Sequence, residues 1–320
     1  MKVFESRMKS SEPNGYPVLV FIHGGGFGFG STSKYGYEHL SQNFVSHDIV
    51  VVTLQYRLGP FGFFSTGDYI LPGNTGLWDQ MYALHFLHQV LPYFGADPNR
   101  ITVWGHSAGA ASLSGLAISP HSSHLFHRGI QMSGSILCEW AMNDRVVEHS
   151  KELATELGCE TDGSTKIHDC MKNKTAKEII AATEKLDPVK TSMQKYKFQP
   201  RKDGEFFPFS PEVLMKESER IPFMVGVTDL EMGMMVHQPY HPVLNRMAIP
   251  DDKKKTYNAK DLELFISEAV VPHWETGREG GRFRNALLEH FVDRDPSDDP
   301  EVYLKRAAEV NFLTDVYTYF

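Results

Sequence analysis

Short unbroken apolar runs recur along the chain. Val18-Leu19-Val20-Phe21-Ile22 comes first, then residues 49–54 (IVVVTL), then 101–104 (ITVW). A weaker run at 129–132 (GIQM) and a fifth at 223–227 (FMVGV) complete the series. Runs that do not alternate with polar residues predict strands buried on both faces, as in a parallel sheet under helices. Between the second and third runs, Leu77, Met81, Leu84, Leu87 and Leu91 recur at helical spacing behind Asn74-Thr75, which predicts a capped helix facing the sheet. Residues 141–220 read as helices and loops. Further on, 251–255 reads as a charged, solvated loop and 261–271 as a helix. A loop rich in Gly and Arg follows, then a helix from about 283 to 292 and a loop at 295–300. No internal repeat or low-complexity tract interrupts the pattern.

Composition narrows the class. Of 320 residues, 41% are hydrophobic and 22% charged, which is globular. The net charge of −8 comes without a clustered Lys/Arg stripe, which argues against nucleic acid or acidic lipid as a partner. No apolar run reaches the ~18 residues of a membrane span. The first residues, MKVFESR, lack the apolar stretch of a signal peptide, so the chain taken as given reads as cytoplasmic.

The chemistry centres on Gly105-His106-Ser107-Ala108-Gly109, which follows the run at 101–104 and precedes a helical stretch ending near Pro120. A strand, a sharp turn and a helix form the context in which G-x-S-x-G presents a serine nucleophile. Glycines flank such a turn because a Cβ would clash with the backbone beside it. The second signal is His23-Gly24-Gly25-Gly26-Phe27, directly after the first run. Attack on an ester drives negative charge onto the carbonyl oxygen, and N–H groups fixed in advance stabilise it, each worth about 3 kcal/mol. Gly25 and Gly26 can offer such N–H groups without a side chain in the way, and Ala108, after the nucleophile, would add a third.

With these motifs the chain resembles the type-B carboxylesterase and cholinesterase family. The likeness extends through Gln55-Tyr56-Arg57-Leu58-Gly59-Pro60-Phe61-Gly62-Phe63, residues 72–80 (PGNTGLWDQ), 94–98 (FGADP) and 131–135 (QMSGS). It implies an α/β-hydrolase fold, a central, mostly parallel sheet with helices on both faces. Residues 1–320 would form a single partial domain, incomplete at both ends. It further implies a carboxylic ester hydrolase working through a serine nucleophile and an acyl-enzyme, with no cofactor or metal and a small-molecule ester as substrate.

Carried over position by position, the resemblance makes Glu231 the acidic triad member, although Leu230-Glu231-Met232 stands where the family usually has Asp-Glu-Gly. Ser133 would support that acid by hydrogen bonding. Cys159 and Cys170 would form a disulfide, with Cys138 remaining a thiol. Asn173-Lys174-Thr175 beside them is a glycosylation sequon. Disulfide and sequon together point to secretion or the lumen of the endoplasmic reticulum for a full-length protein. Trp140, Tyr196 and Phe198 would line an acyl pocket that favours small acyl groups. Cholinesterases carry a glutamate before the nucleophile; here it is His106, which favours a general carboxylesterase.

The family's catalytic histidine would follow a further strand beyond Phe320, so this chain is expected to be impaired. His237, His241, His273 and His290 follow Glu231, but none follows a terminal strand. His23 and His106 border the centre in positions the family uses otherwise. The alternative is a catalytically inactive relative or an adhesion protein of the neuroligin kind, and the intact Ser107, Gly25 and Gly26 count against the latter.

Overall fold

The structure, a computed structural model, describes residues 1–5, 10–138, 140–186, 197–231, 233–237, 248–271 and 273–316, without the side chains of 234, 235, 273–280 and 311–316. The chain divides into two compact units, 1–186 with 196–226, and 187–195 with 227–320.

Among the described residues the first unit is built on six strands, β1 (Lys2–Phe4), β2 (Tyr16–Ile22), β3 (Val50–Leu54), β4 (Ala96–His106), β5 (Arg128–Met132) and β6 (Phe223–Gly226). Their order across the sheet is β1-β3-β2-β4-β5-β6. Only β1 is antiparallel, pairing Val3 with Val52. β2 lies parallel between β3 and β4, with Val20 opposite both Val52 and Val103. This is the mostly parallel sheet of the α/β-hydrolase fold.

Each apolar run falls on a strand, and both faces of the central strands are buried. Val18, Val20, Ile22, Val50, Val52, Leu54, Ile101 and Val103 join the main core on one face. The helix Thr75–Val90 packs Leu77, Met81, Leu84 and Leu87 into the same core. On the other face the rings of Phe21 and Trp104 meet at a tilt, 4.7 Å apart, with Tyr35 and Phe44 beside them.

The short β1 comes from a segment whose sequence carries no strand signal. Three residues are too few for periodicity to register, and it is pairing with β3 that makes them a strand. At the opposite end β6 closes the sheet among the described residues, with Met224 69% and Val225 66% exposed. Such an apolar edge carries none of the charges or bulges that usually protect one.

Asn74 precedes the helix at Thr75, as expected, but does not cap it. Its backbone is left-handed (φ 59°) and its side chain makes no cap bond. Instead its Nδ2 donates to the Arg201 carbonyl at 2.7 Å, and Oδ1 accepts from the Arg201 N–H at 3.0 Å. A side chain engaged across the fold in this way is withdrawn from the helix end.

The second unit is helical around a core that includes Leu262, Ile266, Val270, Phe291, Tyr303, Leu304 and Ala307. Two expectations change here. The charged stretch at 251–255 contains a short helix, Asp251–Lys254, whose acidic start and basic end suit the helix dipole. The Gly/Arg stretch is no loop, because the helix His273–Leu288 runs through it and continues into a π-helical turn, Glu289–Asp293. Glycine costs a helix interior about 1 kcal/mol. Burial of Arg284, Leu287 and Phe291 further along the same helix outweighs that cost. No helix among the described residues is long and apolar enough to cross a membrane.

Candidate active site

Ser107 stands in the turn between β4 and the helix Ala108–Ile118, half-buried, with φ 55° and ψ −122°. A positive φ is costly for a serine. It persists because four backbone passages close on the turn with no side chain between them. A Cβ on Gly24 would lie 3.0 Å from the Ser107 Cβ and 2.5 Å from the His106 carbonyl oxygen. One on Gly105 would enter the Gly109 carbonyl, and one on Gly109 the Ile22 carbonyl. One on Gly134 would enter the carbonyl of Ser107 itself. The Ser107 N–H donates to the Met132 carbonyl at 2.9 Å, tying the turn to the end of β5.

The loop after β2 therefore runs against the nucleophile, and the candidate oxyanion residues lie on it. Gly25 (φ 123°) and Gly26 (φ 57°) both need the left-handed backbone that glycine permits. Phe27 adopts φ 59° without that freedom. It is held by its carbonyl accepting from Gly59 N–H at 2.7 Å and by an edge-on contact with Phe63 at 5.1 Å. Ala108 is fully buried at the first turn of its helix, where backbone N–H groups lack intrahelical acceptors. A raised hydroxyl beside such donors can carry out attack on an ester and hold the resulting oxyanion.

His23 supports this loop from below. It is fully buried, its Nδ1 lies 2.9 Å from the Gly24 carbonyl, and its ring stacks on Tyr56 at 4.8 Å. The Tyr56 hydroxyl donates to the His23 carbonyl at 2.9 Å. Burial lowers the His23 pKa, with the Gly24 carbonyl and Gln55 side chain pulling weakly the other way. Because Nε2 has no well-formed hydrogen bond, burial prevails and the ring is neutral, donating from Nδ1. Sequence reasoning assigns His23 no such role, since nothing in its spacing tells a side chain under the loop from one in the site.

The remaining candidates divide. Trp140 is half-buried 6.4 Å from Phe27, so it adjoins the oxyanion loop. Phe198 is buried in the same core, while Tyr196 lies outside the described residues. Ser133, at the end of β5, has φ 55° and donates its N–H to the Gly226 carbonyl at 2.9 Å. His106 is exposed. Cys159 and Cys170 are disulfide-bonded, and Cys138 is buried and outside that bond. A groove of about 620 Å³ in this unit is walled by Glu148, Lys151, Glu152, Glu156 and Leu186, on elements that carry none of these candidates.

Glu231 belongs to the second unit. Half-buried, it accepts at Oε1 from the Thr228 N–H at 2.6 Å. It lines a cavity of about 250 Å³ with Asp229, His290, Phe291 and Glu309. His290, exposed on the π-helical turn, thus shares a wall with Glu231, a juxtaposition that sequence spacing does not reveal. His237 is exposed at the end of its helix. His241 and the His273 side chain lie outside the described residues.

The sequence model described as "Carboxylesterase family" matches residues 1–320 in full. This chain belongs to the carboxylesterase family. It is 42% identical over 285 residues to gut esterase 1 of Caenorhabditis elegans, covering 89% of this chain and 50% of that protein. Rat (Rattus norvegicus) carboxylesterase 1D is 36% identical over 80% of this chain and 46% of its own length. Mouse (Mus musculus) neuroligin-3 is 38% identical over 93% of this chain and 34% of its own. The chain spans about half the length of the esterases it matches.

Proposed function

We propose that this carboxylesterase-family chain carries the nucleophile and oxyanion-binding parts of a serine ester hydrolase. The observation that carries the reading is the strained Ser107 turn, closed on by Gly24, Gly105, Gly109 and Gly134. A serine held at positive φ, with Gly24 and Gly134 directly against it, is a costly arrangement, and presentation of its hydroxyl accounts for it. Ser107 Oγ attacks the ester carbonyl, and the N–H groups of Gly25, Gly26 and Ala108 hold the oxyanion. The alcohol leaves, and water then releases the acyl group from Ser107. Glu231 is assigned the role of orienting the imidazole of the general base. Among the described residues no histidine is hydrogen-bonded to Ser107, so no histidine of this chain is assigned as that base.

Trp140, Phe198 and Tyr196 restrict the acyl side to small groups, and His106 gives a cationic alcohol no negative partner. The Cys159–Cys170 bond favours an oxidising lumen or secretion. With no histidine among the described residues hydrogen-bonded to Ser107, hydrolysis of p-nitrophenyl acetate by the 320-residue chain should be slow, leaving only what the oxyanion hole supplies. A slow rate that Ser107→Ala lowers further supports the assignment. Equal rates in the two proteins remove Ser107 as the nucleophile, and fast Ser107-dependent turnover shows that an internal histidine serves as base. The match to neuroligin-3 keeps a non-catalytic, adhesive role as the second reading, and Ser107-dependent hydrolysis of any size counts against it.

A further inference from the structure

The sequence contains one Asn-x-Ser/Thr triplet, Asn173-Lys174-Thr175, and the esterase reading makes no use of it. It lies in the short connection between the helices Ser164–Lys172 and Ala176–Leu186. Asn173 is exposed with an ordinary right-handed backbone (φ −91°, ψ −1°), and Thr175 is exposed as well. Only three residues earlier Cys170 is bonded to Cys159, so the same helix end carries a bond that persists in oxidising compartments.

Thr175 has a competing explanation. It heads the helix Ala176–Leu186 in a Thr-x-x-Glu box, with the Glu178 N–H donating to Thr175 Oγ1 at 3.3 Å and Glu178 Oε2 accepting from the Thr175 N–H at 2.8 Å. The Thr175 hydroxyl also donates to Glu178 Oε2 at 2.7 Å. Capping alone accounts for a threonine here, but not for an exposed asparagine two residues before it. Asn173 uses one N–H of its Nδ2, donating to the Asp169 carbonyl at 2.8 Å. An amide carries two such hydrogens, so a substituent can replace one while the other keeps this bond.

We propose that Asn173 is an N-glycosylation site, the acceptor of an oligosaccharide from a lipid-linked diphosphate donor in the secretory lumen. The Asn173 Nδ2 attacks the anomeric carbon of the donor's first sugar, forming a C–N bond. The C–O bond to the diphosphate breaks, the lipid diphosphate leaves with the electron pair, and one amide proton goes to the transferase's base. The Thr175 hydroxyl is the recognition element while the chain is still unfolded, and becomes the helix cap afterwards. The glycan then stands on the outer end of a helix pair, where added bulk meets solvent. The site is independent of the esterase reading.

The test is the full chain behind a cleavable secretory signal in eukaryotic cells, digested with peptide-N-glycosidase and mapped by mass spectrometry. The expected result is a single downward shift on gels, with Asn173 read as aspartate after digestion. The shift is lost in Asn173→Gln and in Thr175→Asp, which keeps a good helix cap but destroys the triplet, and it persists in Thr175→Ser. Transfer precedes folding, so a chain retained in the lumen as misfolded still carries the glycan. Unmodified Asn173 in material with the Cys159–Cys170 disulfide formed, or in lumenal chain protected from added protease, overturns the proposal. A shift that survives Asn173→Gln does so equally.

Discussion

In the sheet-bearing unit Val20, Ile22, Val52, Leu54 and Val103 are fully buried hydrocarbon on strands whose backbone groups pair with one another. In the helical unit two of the described arginines lie inside, Arg284 4% and Arg306 8% exposed. Arg284 donates through Nε and Nη2 to the Val271 carbonyl at 2.9 and 2.6 Å. Arg306 reaches the carbonyls of Phe291 and Asp295 at 3.3 and 2.9 Å and lies over the Tyr303 ring. These carbonyls sit in or just beyond the π-helical turns 266–270 and 289–293, where the regular ladder is interrupted. The first unit satisfies its backbone through the sheet and closes glycine backbones around the strained Ser107 turn. The second breaks its helices and repairs the breaks with long cationic side chains, whose fork of donors can satisfy exposed carbonyls.

If that contrast is right, the first unit is most vulnerable where backbones touch, and Gly109→Ala should have the largest effect. Its methyl group would enter the carbonyl of Ile22, itself fully buried at the end of β2. A loss of about 4 kcal/mol or more is expected, read from the urea midpoint by tryptophan fluorescence. An unchanged midpoint would mean that the close approach at the elbow is softer than its geometry.

In the second unit the sensitive points are the guanidinium bonds. Arg306→Ala removes the donors to Phe291 and Asp295 and should cost about 2–3 kcal/mol. Hydrogen exchange should show the loss concentrated around Phe291 and Tyr303. Wild-type protection there would show that the carbonyls find other partners and that the arginines are incidental.

The smallest effect expected is in pH dependence. Burial holds His23, His127 and His149, all in the first unit, below the usual histidine pKa. They are neutral when folded and take up protons more readily when unfolded, so the unfolded state binds more protons as pH falls past ~6.5. Stability should therefore decline from about pH 7 to about pH 5, and His23→Gln should flatten the slope. A flat wild-type profile in that window would argue that these rings are more hydrated than their burial implies.

Much of the candidate site could be read directly from the chain. The apolar runs located the strands, and G-x-S-x-G after one run with a glycine triplet after another placed Ser107, Gly25, Gly26 and Ala108 on the turns that the structure brings together. Such signals are local: a buried strand needs contiguous apolar residues and a strained turn needs glycine, so each writes itself into a few neighbouring positions. Tertiary structure alone decided the strand order and the recruitment of Lys2–Phe4 as an antiparallel edge. It also decided the use of Asn74 as a partner for Arg201 and the helix through a glycine-rich stretch. Each of these depends on a partner distant in sequence, whose burial or hydrogen bonds override local preference by more than the kcal/mol or so that preference supplies.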